Sequence, residues 1–495
     1  MKPDFMEVQR LAQSGPYRRI PVYRELLCDR FTPIEVMRTL RAASRHCYLL
    51  ESADNHQKWG RYTFLGYDPV LELTCTNGML RVSNKRVPEK VPHYEARTKH
   101  PGAMIRKLLE AFKSPVLKEL PPFTGGLVGY FSYEYIQYAE PSLKPLFDED
   151  GEFCDVDLML FDKVIAFDHY CQKLILIAGV DTQRLQASYQ EAQETLDAME
   201  RLLDSGAKAY FKPLLMAGEL TSVFSEQEYT AMVEKARHYI HEGDIFQVVL
   251  SNPMEAEADG SLFDSYRVLR TTNPSPYMFY FSSDTAEIAG ASPETLVKLE
   301  NGVLHTFPLA GTRPRGKNDA EDIRLERELL SDEKELAEHN MLVDLGRNDL
   351  GKISQLGTVA VEKYMQIQRF SHVMHIGTTV SGQLAPGKDA IDAVDAILPA
   401  GTLSGAPKIR ACEIIRELEG RRRGIYGGAI GYIDFTGNLD TCIAIRLAYK
   451  KNGRVCVQSG AGIVADSAAK NEFAECRNKA QAVISALTAA QGGIR

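Results

Sequence analysis

No long hydrophobic run occurs anywhere in these 495 residues. A membrane-spanning helix needs roughly 18 or more apolar residues in succession, so none is expected. Blocks of basic residues are also missing, and the net charge is −8. No nucleic-acid or polybasic membrane surface is therefore expected, although a local basic pocket stays open. The nine cysteines are scattered singly, without a C-x-x-C pair, which reads as reduced thiols rather than a disulfide framework. The opening residues, MKPDFMEVQRLAQSG, lack the apolar stretch of a secretion signal, and the cytoplasm is the expected location. There is no repeat of fixed period, no low-complexity tract and no G-x-S-x-G nucleophile elbow. What remains is an ordinary globular balance, 44% hydrophobic and 25% charged, long enough for two or three domains or one large composite fold.

Two textures divide the chain. From about residue 20 to 180, short β-like runs such as RYTFLG, LELTCT, GLVGYFSYEYI and KLILIAGV are broken by Gly, Pro and Asn, the pattern of an antiparallel meander. A polar helical stretch, QRLQASYQEAQETLDAMERLL, then ends at Ser205-Gly206. The expected organisation is a β-rich region over 1–205, a connector over 206–221 and a mixed region over 222–495. In the last, YMFYFS, LVKLEN, GVLHTFPLA, GAIGYIDF, CIAIRLAYK and RVCVQSG read as strands. Helices are expected at SEQEYTAMVEKARHYIHEG, at DIRLERELLSDEKELAEHNMLVDLG and near the chain end. Hairpin-like pairs outnumber βαβ alternations, so the fold class is α+β, with large antiparallel sheets rather than a doubly wound one.

Three motifs mislead. The segment GTRPRGKN, from Gly311 to Asn318, almost fits a phosphate-binding loop, but Asn318 lacks the hydroxyl for magnesium and Pro314 removes a backbone N–H. Gly460-Ala461-Gly462 opens a G-x-G-x-x-A pattern after a strand, yet the helix that follows leaves no second parallel strand for a dinucleotide unit. His372 and His375 lack the spacing or the Cys companion of a zinc site.

The informative acids come as two i,i+3 pairs, Glu335 with Glu338 and Glu472 with Glu475, each on one helix face, and Lys479 follows Glu475 at i+4. By spacing alone the simpler account is two amphipathic helices with wet acidic sides. If the pairs converge, their mutual repulsion calls for a cation, and magnesium suits oxygen ligands. The backbone of Gly460-Ala461-Gly462 and the guanidinium of Arg446 add anion-binding parts. Together these suit a small polyanion that spacing alone does not name.

Whole segments narrow it. AGASPETLV, FPLAGTRPRG, ELAEHNMLVDLGRNDLG, HVMHIGTTVSG, LPAGTLSGAPKIRA, IYGGAIGYIDFTGNLDTCIAIR and VQSGAGIVADSAAKNEFAECRNKA follow one another in the order of the chorismate-utilising enzymes. The second region resembles that family over nearly its whole length. YLLESAD and GRYTFLGYDP resemble the N-terminal part of the anthranilate synthase large subunits within it.

The resemblance implies a fold of two antiparallel sheets packed as a sandwich with helices outside. It implies a lyase that converts chorismate and ammonia to anthranilate and pyruvate in tryptophan biosynthesis. Glu338 and Glu475 match magnesium ligands, with Glu335 and Glu472 as outer supports. Gly460, Ala461 and Gly462 match a loop holding the ring carboxylate beside the metal, with Lys479 nearby. Tyr426 and Arg446 match the grip on the enolpyruvyl carboxylate. Gly311, Thr312, Thr402 and His375 match further positions in the pocket, Glu294 matches a general acid, and His375 is the candidate acid/base of the elimination. Gln247 stands where water-activating relatives carry lysine, and Ala310 where aminodeoxychorismate synthases carry lysine; an amide and a methyl group supply neither base nor nucleophile. Rival readings within the family are aminodeoxyisochorismate and aminodeoxychorismate synthases. Leu50, Glu51 and Ser52, with Pro276, Tyr277 and Met278, resemble a feedback site for tryptophan, Glu51 meeting its ammonium group. No amidotransferase cysteine nucleophile is recognisable, so glutamine-derived ammonia implies a separate partner subunit and a hetero-oligomer.

Overall fold

In the computed structural model, residues 1–52, 60–84, 93–143, 151, 153–369 and 373–494 are described. Their strands form two antiparallel sheets, one of thirteen strands and one of twelve. The KLILIAGVD run pairs along its full length with Arg19–Leu27, in a register that sets Ile20 opposite Val180 and Val22 opposite Ala178. Both faces of this β-branched ribbon are covered, which suits its nearly continuous apolar sequence.

The sheets lie face to face. Tyr48, Phe279, Phe281 and Ile177 from the larger sheet pack with Val128, Met159, Phe161 and Tyr432 from the smaller one. Outer cores back each sheet with helices: Val36, Leu196, Tyr266 and Val483 on one side, Ile105, Val343 and Ile391 on the other. The arrangement is the expected α+β sandwich with helices outside. None of the described helices is long and apolar enough to cross a membrane.

Strand order runs through both sequence textures. Cys47–Glu51 pairs with Tyr277–Ser282 in the larger sheet, and Gly126–Phe131 pairs with Ala429–Asp434 in the smaller. The segment between them in sequence also contributes, because Leu215–Met216 and Thr221–Ser222 add to the strand Gln247–Asp259.

Four local expectations change. The first is GVLHTFPLA, which breaks at Phe307-Pro308 into the strands Val303–Thr306 and Leu309–Pro314 because proline offers no N–H to a ladder. The long stretch DIRLERELLSDEKELAEHNMLVDLG is two helices, Asp319–Leu330 and Glu333–Gly351. The side chain of Asp332 accepts from the N–H groups of Lys334 and Glu335, and this N-cap starts the second helix afresh. CIAIRLAYK is not one strand either: Leu439–Ile443 ends in the smaller sheet and Leu447–Lys451 begins in the larger. Arg446 occupies the break in a left-handed conformation, φ 52°. For a residue with a side chain this conformation costs about 1–2 kcal/mol. Gly460, Ala461 and Gly462 are not a loop: they lie in the strand Arg454–Ile463, opposite Ser251, Leu250 and Val249.

Candidate functional site

Glu294 follows the strand Ala286–Ser292 just before Thr295–Glu300 begins, at a crossing between sheets. The Thr402 hydroxyl, in the short turn Gly401–Leu403, donates to Glu294 Oε1 over 3.0 Å. Burial pushes the Glu294 carboxyl up to about 7, against that hydrogen bond and the positive charges of Lys479 and Arg446. A carboxyl poised near neutrality beside two cations suits a proton donor to a leaving oxygen.

Arg446 is itself largely enclosed, and burial lowers its pKa against the pull of Glu294. Its carbonyl accepts from the Ala291 N–H, so the break between sheets is anchored at the strand that leads to Glu294. The left-handed turn and this anchor hold a cation where a continuous strand would have carried it past the site.

His375 sits in the strand Val373–Gln383 opposite Thr312. A bulge between Ala310 and Thr312 turns Gly311 to φ 64° and sets its carbonyl 2.9 Å from His375 Nδ1. Burial, then the charge of Arg446, depress the imidazole below its ordinary value. In the neutral ring, Nδ1–H donates to the Gly311 carbonyl, which leaves Nε2 as the basic nitrogen. A side chain on Gly311 would meet Leu329 at 2.9 Å and Glu335 Oε2 at 3.3 Å, so this glycine permits the close approach of strand and helix. His372 lies outside the described residues.

The two acidic pairs lie close enough for their charges to interact. Partial burial and then the negative charge of Glu335 push Glu338 up, and Glu475 of the C-terminal helix Ala469–Ala490 adds to this. Burial and Glu475 likewise raise Glu472, while Lys479 favours the ionised form of both Glu338 and Glu472. Lys479 Nζ lies 2.8 Å from Glu475 Oε1. Among the described residues, no group of three or more His, Cys, Asp or Glu side chains is gathered to hold a metal ion. Repelling carboxylates on two helices nevertheless fit a hard divalent cation, since magnesium usually takes only one or two protein carboxylates plus water and an anionic ligand.

Tyr426 is buried and lies beside Gly460, where an added Cβ would come within 2.9 Å of the phenolic oxygen. Gly462 has the same relation to Gln247, whose Nε2 a Cβ would meet at 2.7 Å. The two glycines therefore keep the strand open for Tyr426 on one neighbour and Gln247 on the other. A separate cleft, about 450 Å³ including its open mouth, reaches Glu294 and Thr402 from the side of Leu342, Leu345 and Ile443.

Sequence reasoning missed the supports of the site. Arg423 and Glu419 form a buried ion pair, Nε to Oε2 2.9 Å. The same guanidinium donates to the carbonyls of Leu403 and Val249, and Glu419 accepts from the N–H and hydroxyl of Ser251. The turn bearing Thr402 is thus tied to the strand opposite Gly460–Gly462. The i,i+4 spacing of the pair was visible, but not its burial. Arg313, next to Thr312, spans Glu328 and Asp332 and reaches Glu335 at 3.5 Å. His339, fully buried beside Glu338, is held by Thr378, and burial lowers it to about 4.

The second residue group gathers on the strands Cys47–Glu51 and Tyr277–Ser282 and the residues flanking them. Met278 pairs with Glu51 and Phe279 with Leu50 across adjacent strands, so Leu50, Glu51 and Ser52 lie beside Pro276, Tyr277 and Met278. Glu51, expected to meet an ammonium group, instead accepts two hydrogen bonds from Arg270, 2.6 and 3.0 Å, and one from Tyr266, 2.5 Å. The Tyr277 hydroxyl crosses to the other sheet, 2.8 Å from Asp440 and 3.0 Å from Thr295, the neighbour of Glu294. As expected, GTRPRGKN forms no phosphate loop: the Gly316 N–H is taken by Asp322, which also pairs with Arg315.

The family model of chorismate binding enzymes matches residues 45–485. Over 501 residues the chain is 43% identical to anthranilate synthase component 1 of Acetivibrio thermocellus, covering 100% of this chain and 99% of the relative. It is 42% identical to the component 1 of Aquifex aeolicus, covering 98% and 97%. Among solved structures, anthranilate synthase component I from Streptococcus pneumoniae matches with a TM-score of 0.76 and 39% identity, over 86% of this chain and 92% of that one. The menaquinone-specific isochorismate synthase of Escherichia coli shares the fold, with a TM-score of 0.68 at 19% identity over 98% of both chains.

Proposed function

The chain belongs to the family of chorismate binding enzymes, and we propose that it is the chorismate-converting component of an anthranilate synthase. The relatives similar over the full chain carry that activity in their names. The observation that carries the chemistry is Glu294, held near neutrality between the Thr402 hydroxyl and the charges of Arg446 and Lys479.

Chorismate brings two carboxylates, and Arg446, Lys479 and the backbone of Gly460–Gly462 supply the compensating charge and donors. Ammonia attacks C2 of the ring while Glu294 gives its proton to the departing C4 hydroxyl, which leaves as water. The aminated intermediate then loses the C2 proton and the enolpyruvyl group, forming anthranilate and pyruvate. His375, a neutral ring whose Nδ1 is held at the Gly311 carbonyl, is the candidate acceptor of the C2 proton. Gln247 and Ala310 offer neither a base for water nor an amine nucleophile, so ammonia keeps the C2 position.

Magnesium bound by Glu338 and Glu475, with Glu335 and Glu472 outside them, would supply Lewis-acid stabilisation at the ring carboxylate. The ammonia source is a glutamine amidotransferase partner, and tryptophan is the inhibitor at the Leu50–Ser52 and Pro276–Met278 cluster. The partner reading is supported by the resemblance, and the inhibitor reading by the resemblance and by the pairing of those strands.

The test is anthranilate fluorescence from purified chain with chorismate, magnesium and ammonium, each omitted in turn. Product requiring all three supports the proposal. Chorismate consumption without fluorescence would replace it with a synthase lacking the elimination, and no consumption even with a glutaminase partner would end it.

A further inference from the structure

One buried acid has no part in the chemistry described so far. Glu134, 1% exposed, lies in the short turn Tyr133–Tyr135 that follows the strand Gly126–Phe131. It belongs to the first sequence region, whereas the residues given to substrate and metal belong to the second. Beside it runs Arg421-Arg422-Arg423. A buried carboxylate ordinarily takes such guanidinium groups as its partners. These go elsewhere: Arg421 to Glu255, Arg422 to Asp155 and Arg423 to Glu419.

The Glu134 carboxylate takes the backbone instead. Oε1 accepts from the Arg423 N–H at 2.6 Å, and Oε2 accepts from the Gly424 N–H at 3.0 Å. Successive N–H groups turned to one side form an anion-binding nest. Gly424 supplies the left-handed residue, φ 61°, that such a turn requires. The contact is returned, because the Gly424 carbonyl accepts from the Tyr133 N–H at 2.9 Å. Burial pushes the Glu134 carboxyl up, while the Arg422 charge and the Arg423 N–H favour its ionised form. Tyr426 follows two residues later. Ile425 enters the core between the sheets, and Tyr426 turns to the other face, into the outer core of the smaller sheet. The Arg423 guanidinium lies over the Tyr133 ring at 4.7 Å and the Tyr426 ring at 5.8 Å. The place of the Tyr426 hydroxyl beside Gly460 therefore depends on where residues 423 and 424 are pinned.

We propose that Glu134 is a positioning residue for substrate binding: its carboxylate pins the Arg423–Gly424 backbone and so sets the Tyr426 hydroxyl where it meets the enolpyruvyl carboxylate. This rests on the substrate-binding role given to Tyr426 above. Glu134 acts through the backbone and not on a reacting atom. The first region thereby contributes to chorismate affinity. The enolpyruvyl carboxylate is carried unchanged through the amination, so a misplaced Tyr426 loses substrate and transition state alike. Such uniform loss raises KM and leaves kcat in place.

The test is anthranilate formation by the full chain, with ammonium and magnesium saturating and chorismate varied. Glu134→Gln keeps the size of the side chain but turns an amide NH2 toward one of the two N–H groups. It should raise the KM for chorismate roughly tenfold and change kcat less than about twofold. Tyr426→Phe should itself raise KM, and adding Glu134→Gln to it should cost less than about twofold more, because the two act as one unit. A purely structural role would cost the same factor in both backgrounds. Glu134→Asp, which keeps the charge and shortens the reach, carries the same comparison should the glutamine variant fold poorly. Unchanged KM in the Glu134 variants, a fall in kcat alone, or equal factors in the two backgrounds would each overturn the proposal. Unchanged KM in Tyr426→Phe would remove Tyr426 from the grip and the proposal with it, while anthranilate synthesis itself would stand.

Discussion

Thr402 donates its hydroxyl hydrogen to Glu294 Oε1 across 3.0 Å, joining segments 108 residues apart in sequence. That bond, with Lys479 and Arg446, moderates the effect of burial and leaves the carboxyl at about 7 rather than higher. A dianionic substrate offsets the same two cations, so its arrival raises the proton affinity of Glu294 when a donor is needed.

The acid must be protonated to act. The kcat/KM of the free enzyme should therefore fall as pH rises through about 7. The corresponding limb in kcat should lie at higher pH, because bound carboxylates cancel the cations that lower Glu294. Thr402→Val removes one lowering influence and should move the kcat/KM limb upward in pH. Glu294→Gln should lower kcat about 10²–10⁴-fold with a smaller change in KM. Coincident pH limbs in kcat and kcat/KM would contradict the substrate-linked shift.

Replacing His375 with alanine separates the two halves of the reaction. Burial and Arg446 keep the ring neutral, so its loss should slow proton removal more than ammonia addition. Chromatography should show aminodeoxyisochorismate accumulating while anthranilate fluorescence drops. Unchanged anthranilate output would remove His375 from the elimination.

Chelation should abolish fluorescence and added magnesium should restore it. Glu338→Gln should raise the magnesium concentration for half-maximal activity by about tenfold or more, as loss of one charged ligand group implies. Burial, then Glu335 and Glu475, favour the protonated form of Glu338 against Lys479 and Lys334. Protons therefore compete with the metal, and the magnesium requirement should grow as pH falls.

Glu419→Gln should destabilise the fold by about 3–5 kcal/mol, because Arg423 is left as an uncompensated buried charge. Urea denaturation measures this directly. Activity should also fall under conditions where the variant is folded, since the Arg423 bonds to Leu403 and Val249 position the Thr402 turn. Full activity in the folded variant would reduce the pair to a purely structural support.

Tryptophan should bind the isolated chain and inhibit it. Met278→Ala should weaken inhibition without changing the pH profile of kcat, since the Met278 side chain packs into the outer, helix-backed core. Failure of tryptophan to bind would withdraw the inhibitor reading of Leu50–Ser52 and Pro276–Met278. Arg270→Ala is the informative companion: it removes a cation from Glu51 and should strengthen amine recognition if that carboxylate is the ammonium partner.

Much of this molecule was legible in one dimension. Strand periodicity, apolar helix faces and turn residues are local properties, so KLILIAGV, YMFYFS and the Ser225-capped helix Glu226–His241 appear where the sequence placed them. The i,i+3 and i,i+4 spacing of Glu335, Glu338, Glu472, Glu475 and Lys479 is likewise set by helix geometry alone. Segment order identified the family. Tertiary structure decided the rest, because burial and long-range pairing are not properties of any short window. It broke CIAIRLAYK at Arg446, drew Gly460–Gly462 into a strand and occupied Glu51 with Arg270. It brought Thr402 to Glu294, and by enclosing that carboxyl beside two cations it turned an ordinary glutamate into a group that exchanges its proton near neutrality.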